Sequence, residues 1–120
     1  MEKIAFSPAG TDLASRRSAS QLRHVVTSTL NEGKKVVIDL SNVASISPSY
    51  ADELFGILVL EYGIKRFFET VTVKKASTVV LRQIAEAIKE RLGNDLTQET
   101  LSDLVAAKHT QQSQTFKSTR

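Results

Sequence analysis

The chain has 120 residues, of which 41% are hydrophobic and 24% are charged, and its formal net charge is +3. These values are ordinary for one globular domain. The absence of cysteine excludes disulfides and thiol chemistry. The apolar runs are too short to span a membrane and the first residues lack the apolar region of a signal peptide, so we expect a cytoplasmic protein.

The first 33 residues predict a strand, a loop and a helix. Residues 3–6 have the composition of a short strand, and Pro8 and Gly10 mark a loop. A helix is predicted over residues 15–30, and Gly33 follows it, where a glycine commonly ends a helix. The apolar residues of this helix recur at helical spacing and are expected to face inward: Leu22, Val25, Val26 and Leu30.

The middle of the chain predicts a buried strand, a helix and another strand. Residues 36–40 form a continuous apolar and β-branched run, as in a strand covered on both faces. A helix is predicted over residues 48–62, with Gly63 as its C-cap, and residues 70–74 predict the next strand. The inward face of the helix is expected to consist of Ala51, Leu54, Phe55, Leu58 and Tyr62.

Beyond residue 76 the pattern is helical and then polar. Ser77 is a good N-cap for a helix over residues 78–92 that ends at Gly93. The inward residues of that helix are Val80, Leu81, Ile84, Ala85 and Ile88. Thr97 is a cap candidate for a last short helix whose inward residues are Leu101, Leu104 and Val105. We expect one domain over residues 1–107 and a disordered polar tail over residues 108–120.

This alternation of strands and helices predicts a small α/β domain. We expect a mostly parallel or mixed sheet of about four strands with helices packed on it. In such sheets the loops after the strands share one edge, and ligands bind there. Three loops would then meet at one candidate anion-binding edge, where they carry Arg16 and Arg17, Ser47 and Ser49, and Ser77.

The hydroxyl groups before the second helix have a structural use. Ser47 can be the N-cap with Pro48 at the first helical position. Alternatively Ser49 is the N-cap and Asp52 closes a capping box. Either cap stabilises the fold by about 1 kcal/mol. Both alternatives remain open from the sequence.

The second use of these hydroxyl groups is modification. A phosphate on Ser49 would meet free backbone N–H groups and the favourable dipole of the helix N-terminus. Asp52 and Glu53 would repel the added charge unless Arg16 or Arg17 offsets it.

The outer face of the second helix is a candidate partner surface. Tyr50, Ile57 and Leu60 project opposite the inward stripe, beside Glu53 and Glu61. They either pack under neighbouring loops or form an apolar patch with an acidic rim, which suits a protein partner.

One stretch of sequence resembles a known family. Val36-Val37-Ile38-Asp39-Leu40-Ser41 followed by Ile46-Ser47-Pro48-Ser49-Tyr50 and Ala51-Asp52-Glu53-Leu54-Phe55-Gly56 resembles the STAS-like domain family of unknown function. That family is related to the STAS domains of sulfate transporters and anti-sigma factor antagonists. Ser15 to Ala19 with Leu22-Arg23 looks like the Arg-containing opening of its first helix. The third strand and following helix of the family are matched by Phe67, Val71, Val73, Lys75, Ala76 and Ile84. The resemblance therefore covers about residues 10–92.

The resemblance implies a bacterial, non-enzymatic regulator that switches partners. In anti-sigma factor antagonists this loop carries an Asp-Ser-Ser/Thr-Gly motif whose second hydroxyl is phosphorylated by an ATPase-fold kinase, and phosphorylation breaks the complex. By similarity Ser49 matches the phosphorylated serine, whereas Ser47, Pro48 and Tyr50 stand where the motif has Asp, a hydroxyl residue and Gly. A kinase-type ATPase or another regulatory protein is therefore the expected partner. Its expected docking surface consists of Ser47, Ser49, Tyr50, Glu53, Ile57 and Leu60.

Other chemistries have less support in the sequence. An anion or small-molecule sensor that uses Arg16, Arg17, Ser49 and Ser77 is the alternative function. The basic residues come as scattered pairs without interleaved aromatics, so nucleic-acid binding is not expected except weakly through the tail. His24 and His109 have no partners at metal-ligand spacing. Asp39 is better suited to organising its loop than to acid–base chemistry with Asp52. We therefore expect no enzymatic activity, no bound metal and no cofactor. The sequence leaves open whether the chain forms homo-oligomers.

Overall fold

The computed structural model describes residues 2–93, which form an α/β fold. In chain order its elements are β1 (Lys3–Phe6), β2 (Asp12–Leu13), α1 (Arg16–Asn31), β3 (Lys35–Asp39), β4 (Ser45–Ile46), α2 (Pro48–Ala51), a π-helical segment (Asp52–Gly56), α3 (Ile57–Tyr62), α4 (Ile64–Thr70), β5 (Val71–Lys74) and α5 (Thr78–Leu92). No helix in this range combines the length and the apolar character needed to cross a membrane. The helix predicted after Thr97 and the tail predicted from residue 108 lie outside the described residues.

The strands form two small parallel sheets. The main sheet has the order β1-β3-β5, and its register pairs Ile4 with Val36 and Val36 with Val71. Within residues 2–93, β2 and β4 pair only with each other, also in parallel. The predicted α/β class and parallel pairing are confirmed, whereas a single sheet of about four strands is not. β2 and β4 have two residues each, too few to show a strand periodicity in the sequence.

The two faces of the central strand β3 are buried to different degrees. Val36 and Ile38 are fully buried, whereas Val37 and Asp39, which alternate with them, are half-buried. Two successive right-handed crossovers that step in the same direction place their helices on one side of a sheet. Of the two covered faces that were predicted, only one is fully buried by the residues that the structure describes.

The first helix, α1, begins where the sequence predicts. Ser15 is its N-cap, and its hydroxyl accepts a hydrogen bond from the backbone N–H of Ser18 at 3.1 Å. Ala19, Val26 and Leu30 are buried, but Val25 is exposed, so its predicted inward position is wrong. Val25 lies one residue before Val26, which rotates it about 100° away from the face that packs on the sheet.

The alternative caps of the second helix are resolved in favour of Ser47. Its hydroxyl accepts from the N–H of Tyr50 at 3.0 Å and donates to the carbonyl of Ala14 at 3.1 Å, and Pro48 occupies the first helical position. The capping box of Ser49 and Asp52 does not form. The same hydroxyl thus caps α2 and ties it to the segment before α1.

The inward face of the second helix is confirmed, but its outer face is smaller than predicted. Ala51, Leu54, Phe55 and Leu58 are fully buried, and Tyr62 is partly buried. Tyr50 is only 3% exposed, so its predicted outward position is wrong. The reason is that α1 and α5 both pack against this helical stretch, which buries more than one stripe of it.

Two helical features were not predicted. The N–H of Ile57 donates to the carbonyl of Asp52, five residues earlier, which makes Asp52–Gly56 a π-helical segment. The helix α4 follows Gly63, whose φ of 86° ends α3. The predictions of β5 and of α5 with Ser77 as its N-cap are confirmed.

Tyr50 provides a test of this packing. Burial alone raises the pKa of its hydroxyl, so the side chain acts as a core aromatic. We expect Tyr50→Ala to lower the free energy of unfolding by about 3–5 kcal/mol and Tyr50→Phe to change it by less than about 1 kcal/mol, as measured by urea denaturation. Equal small effects of both substitutions would contradict the buried placement.

Candidate functional site

Five charged side chains from three elements form one continuous chain of ion pairs, here called the arginine network. Its members in spatial order are Arg91, Asp52, Arg16, Glu53 and Arg23. Arg91 comes from α5, the two carboxylates come from the π-helical segment, and the other two arginines come from α1. The network therefore joins the three helical elements that surround the start of the second helix.

Asp52 is the centre of the side of the network that faces α5. Arg91 donates to it through a two-point fork, from Nε to Oδ1 at 2.7 Å and from Nη2 to Oδ2 at 2.9 Å. Arg16 Nη1 donates to Oδ2 at 3.1 Å. The hydrogen bonds from Arg91, with a smaller effect from Arg16, lower the pKa of Asp52. Asp52 is therefore a carboxylate at neutral pH, not an acid poised to give up a proton.

Glu53 binds the opposite side of the network. Arg23 Nη2 donates to its Oε2 at 2.9 Å, and Arg23 Nε donates to its backbone carbonyl at 2.8 Å. Arg16 Nη1 donates to Oε1 at 3.0 Å. Hydrogen bonds from Arg23 and then from Arg16 lower the pKa of Glu53. The side chain predicted at the partner surface is thus turned toward α1.

Gly56 allows α5 to approach the π-helical segment. A Cβ atom at this position would lie 2.8 Å from Asp52 Oδ1, 3.0 Å from Arg91 Cγ and 3.3 Å from the carbonyl oxygen of Ala87. Such distances are too short for ordinary packing. The fork between Arg91 and Asp52 therefore occupies space that only a glycine leaves free.

Ser49 lies beside the arginine network, in a surface depression of about 420 Å³. This Ser49 depression is lined by Arg16, Pro48, Ser49, Asp52, Glu90 and Arg91. Ser49 is half-buried at the second helical position. The hydroxyl of Ser47, not that of Ser49, caps the helix. The second serine is therefore not needed for the cap and borders an open, charged cavity.

The structure brings together only part of the predicted anion-binding edge. Arg16 and Ser49 share the depression, while Arg17 is exposed and does not line it. Ser77 caps the beginning of α5, fourteen residues before Arg91 on the same helix. That separation corresponds to about 20 Å along the helix axis. Arg16, Ser49 and Ser77 therefore do not form one site.

Two arginines of the network were not among the predicted site residues. Arg23 and Arg91 contact the carboxylates as directly as Arg16 does. A signal for Arg91 was present, because it follows Ile84 by seven residues and Ile88 by three and so continues the apolar stripe of α5. A charged residue that continues an apolar stripe is a candidate to pair with a charge on the element that the stripe packs against.

A second depression is less suited to binding an anion. It has a volume of about 380 Å³, lies at the start of α1, and its walls include Ser15, Ser18 and Tyr50. Among the described residues its walls hold no arginine or lysine, and they include Asp12, whose carboxylate accepts from the Ser45 hydroxyl at 2.7 Å. Residues 2–93 also hold no group of three His, Cys, Asp or Glu side chains placed to bind a metal ion.

Comparison with known proteins gives one match. A family model described as a STAS-like domain of unknown function (DUF4325) matches residues 18–81. No curated protein and no solved structure matches the chain. The matched stretch includes Arg23, Ser49, Asp52 and Glu53, whereas Arg16 and Arg91 lie on either side of it. The arginine network therefore joins the matched stretch to its two flanks.

Replacement of Gly56 tests the close contact between α5 and the π-helical segment. Alanine is favoured over glycine inside a helix by about 1 kcal/mol, but here its Cβ would push apart Asp52 and Arg91. We expect Gly56→Ala to lower the free energy of unfolding by about 1–2 kcal/mol, as measured by urea denaturation. The cost should shrink in an Asp52→Ala background, where one clashing atom is absent. A more stable Gly56→Ala protein would contradict the contact.

Proposed function

The chain belongs to the STAS-like domain family of unknown function, and from this membership and the position of Ser49 we propose that it is a regulatory protein–protein interaction module switched by phosphorylation of Ser49. The proposed partner is a bacterial kinase-type ATPase or another regulatory protein. In this proposal the chain has no enzymatic activity of its own and is the substrate of its partner.

One observation carries this proposal: the hydroxyl of Ser49 is not used by the cap of the helix it belongs to. Ser47 makes both the hydrogen bond to the N–H of Tyr50 and the hydrogen bond to the carbonyl of Ala14. Ser49 is half-buried and borders a depression that two arginines line. Modification of Ser49 would therefore leave the cap of α2 in place.

The proposed reaction is phosphoryl transfer from a nucleoside triphosphate bound to the partner. The Oγ of Ser49 would attack the γ-phosphorus and form a new O–P bond, while the bond from that phosphorus to the nucleoside diphosphate breaks. The hydroxyl proton would pass to a base on the partner. The product carries about 1.5 to 2 added negative charges at pH 7, which would change the electrostatics of the docking surface.

Leu60 is the strongest apolar candidate for the partner contact. It is 53% exposed, Ile57 beside it is half-buried, and both lie on α3. Leu60 follows Ser49 by eleven residues, about 16 Å along the helix, so one partner of ordinary interface size would reach both. Tyr50 and Glu53 contribute less to this surface than predicted because they face the core and α1.

A pull-down from the native host, read by mass spectrometry, tests the switch. We expect wild type and Ser49→Ala to retain an ATPase-fold or other regulatory protein that Ser49→Asp releases, and we expect phosphate on Ser49 of the wild type. Leu60→Asp should also lose that protein, because it places a charge in the apolar contact. Val79→Asp is the matched control, since Val79 is 60% exposed and lies on α5.

The result that opposes the switch is equally definite. If all variants retain the same proteins and Ser49 carries no phosphate, Ser49 is not a switch. Loss of binding in both Leu60→Asp and Val79→Asp would indicate general damage to the surface rather than a partner contact on α3.

The alternative function is that of an anion sensor, and the lining of the Ser49 depression supports it. Arg16 and Arg91 both border this cavity of about 420 Å³. We expect inorganic phosphate to raise the melting temperature of the wild type above that in sodium chloride of equal ionic strength. Arg16→Ala should abolish the increase and Arg17→Ala should keep it, because Arg17 does not line the cavity. No increase in the wild type would contradict a phosphate sensor.

A further inference from the structure

We propose that Arg91 and Arg16 are the receptor for a phosphoryl group on Ser49 and that they leave Asp52 to bind it. The inference rests on the proposed function, because it concerns the phosphorylated form of Ser49. It adds the residues that bind the phosphoryl group, Arg16 on α1 and Arg91 in the last turn of α5.

Position supports the exchange. Ser49 and Asp52 are three residues apart, one turn along the same helical stretch, and side chains at this spacing are neighbours. Arg16 and Arg91 border the same depression as both of them. A phosphoryl group on Ser49 would therefore enter the depression that both arginines line.

The helix N-terminus itself offers little to a phosphate. Pro48 has no N–H, the N–H of Tyr50 donates to Ser47 Oγ at 3.0 Å, and the N–H of Ala51 donates to the Ser47 carbonyl at 3.0 Å. Of the first four helical residues, only Ser49 keeps its own N–H outside these bonds. Binding of the phosphoryl group must therefore depend on side chains.

Charge favours the phosphoryl group over Asp52. A serine phosphate carries about 1.5 to 2 negative charges and three strong acceptor oxygens, while the carboxylate carries one charge and two oxygens. An arginine fork binds either group with two parallel hydrogen bonds. Because the phosphoryl group carries more negative charge, we expect the arginines to bind it more tightly than the carboxylate. Glu90 also borders the depression and opposes the added charge, which makes the two arginines necessary.

The arginines differ in their freedom to move. The side chains of Arg16 and Arg91 are 52% and 35% exposed, whereas that of Arg23 is 14% exposed and also donates to the backbone of Glu53. The first two can turn toward Ser49 without unpacking the core, and Arg23 keeps Glu53 paired. Asp52 would lose its fork to Arg91, and Arg91 would then join α5 to Ser49 on α2.

Phosphorus NMR of a protein with phosphoserine introduced at position 49 during translation tests this proposal without any kinase. The second pKa of a free serine phosphate is about 6. We expect that of the Ser49 phosphate to be lower by about one unit, because the arginines favour the dianion. Arg91→Gln should shift it back, and Arg16→Gln should do so in part. A phosphoserine at the exposed position Ser28 gives the reference value.

Arg82→Gln is the matched control, because Arg82 is exposed and lies nine residues before Arg91, on the opposite face of α5. The proposal fails if the Ser49 phosphate titrates like the Ser28 phosphate. It also fails if its lowered pKa survives both Arg91→Gln and Arg16→Gln, since the helix dipole would then be the cause. Either failure would contradict the arginine receptor without contradicting the phosphorylation of Ser49. Conversely, absence of Ser49 phosphate in the host would contradict the phosphorylation switch without changing the result of this titration.

Discussion

The opposite directions of two adjacent carboxylates govern the arrangement of this domain. Asp52 turns toward α5 and binds Arg91, while Glu53 turns toward α1 and binds Arg23, and Arg16 bridges the two. Partly exposed ion pairs are commonly worth less than about 1 kcal/mol each. The network is therefore better understood as a device that fixes how three helical elements meet than as a large source of stability.

The elements that could be predicted are those whose signals are local. Ser77 caps α5 as expected because a cap depends only on the next few residues. The predicted position of Tyr50 was wrong because a single inward stripe was assumed for the second helix, and that of Val25 was wrong because the inward stripe of α1 was assumed to be wider than it is. The second helix packs between two others, so a residue off the stripe is also buried. The π-helical segment could not be predicted because a change in the hydrogen-bond partner of Ile57 leaves no signal in the amino-acid composition.

The candidate site could be predicted only in part, for a similar reason. Arg16 and Ser49 lie at the starts of helices, where loops after strands bring residues together, and they do share a depression. Ser77 was predicted to lie near Ser49 because both follow strands of one sheet. It lies at the opposite end of α5, and Arg91 borders the Ser49 depression instead. Which end of α5 approaches Ser49 depends on how the helices cross, and that follows from the whole of their packing rather than from any short motif.

The helical backbone around Ser49 has a consequence for the recognition of this residue. Protein kinases that read linear motifs bind their substrates as extended chains. To present Ser49 in that way, the first turn of the helix would have to unwind, and Ser47 would have to give up its hydrogen bonds to Tyr50 and Ala14. An enzyme that modifies Ser49 must therefore recognise the shape of the folded domain, so its specificity would be carried by surface residues distant in sequence and not by the amino acids that flank the serine.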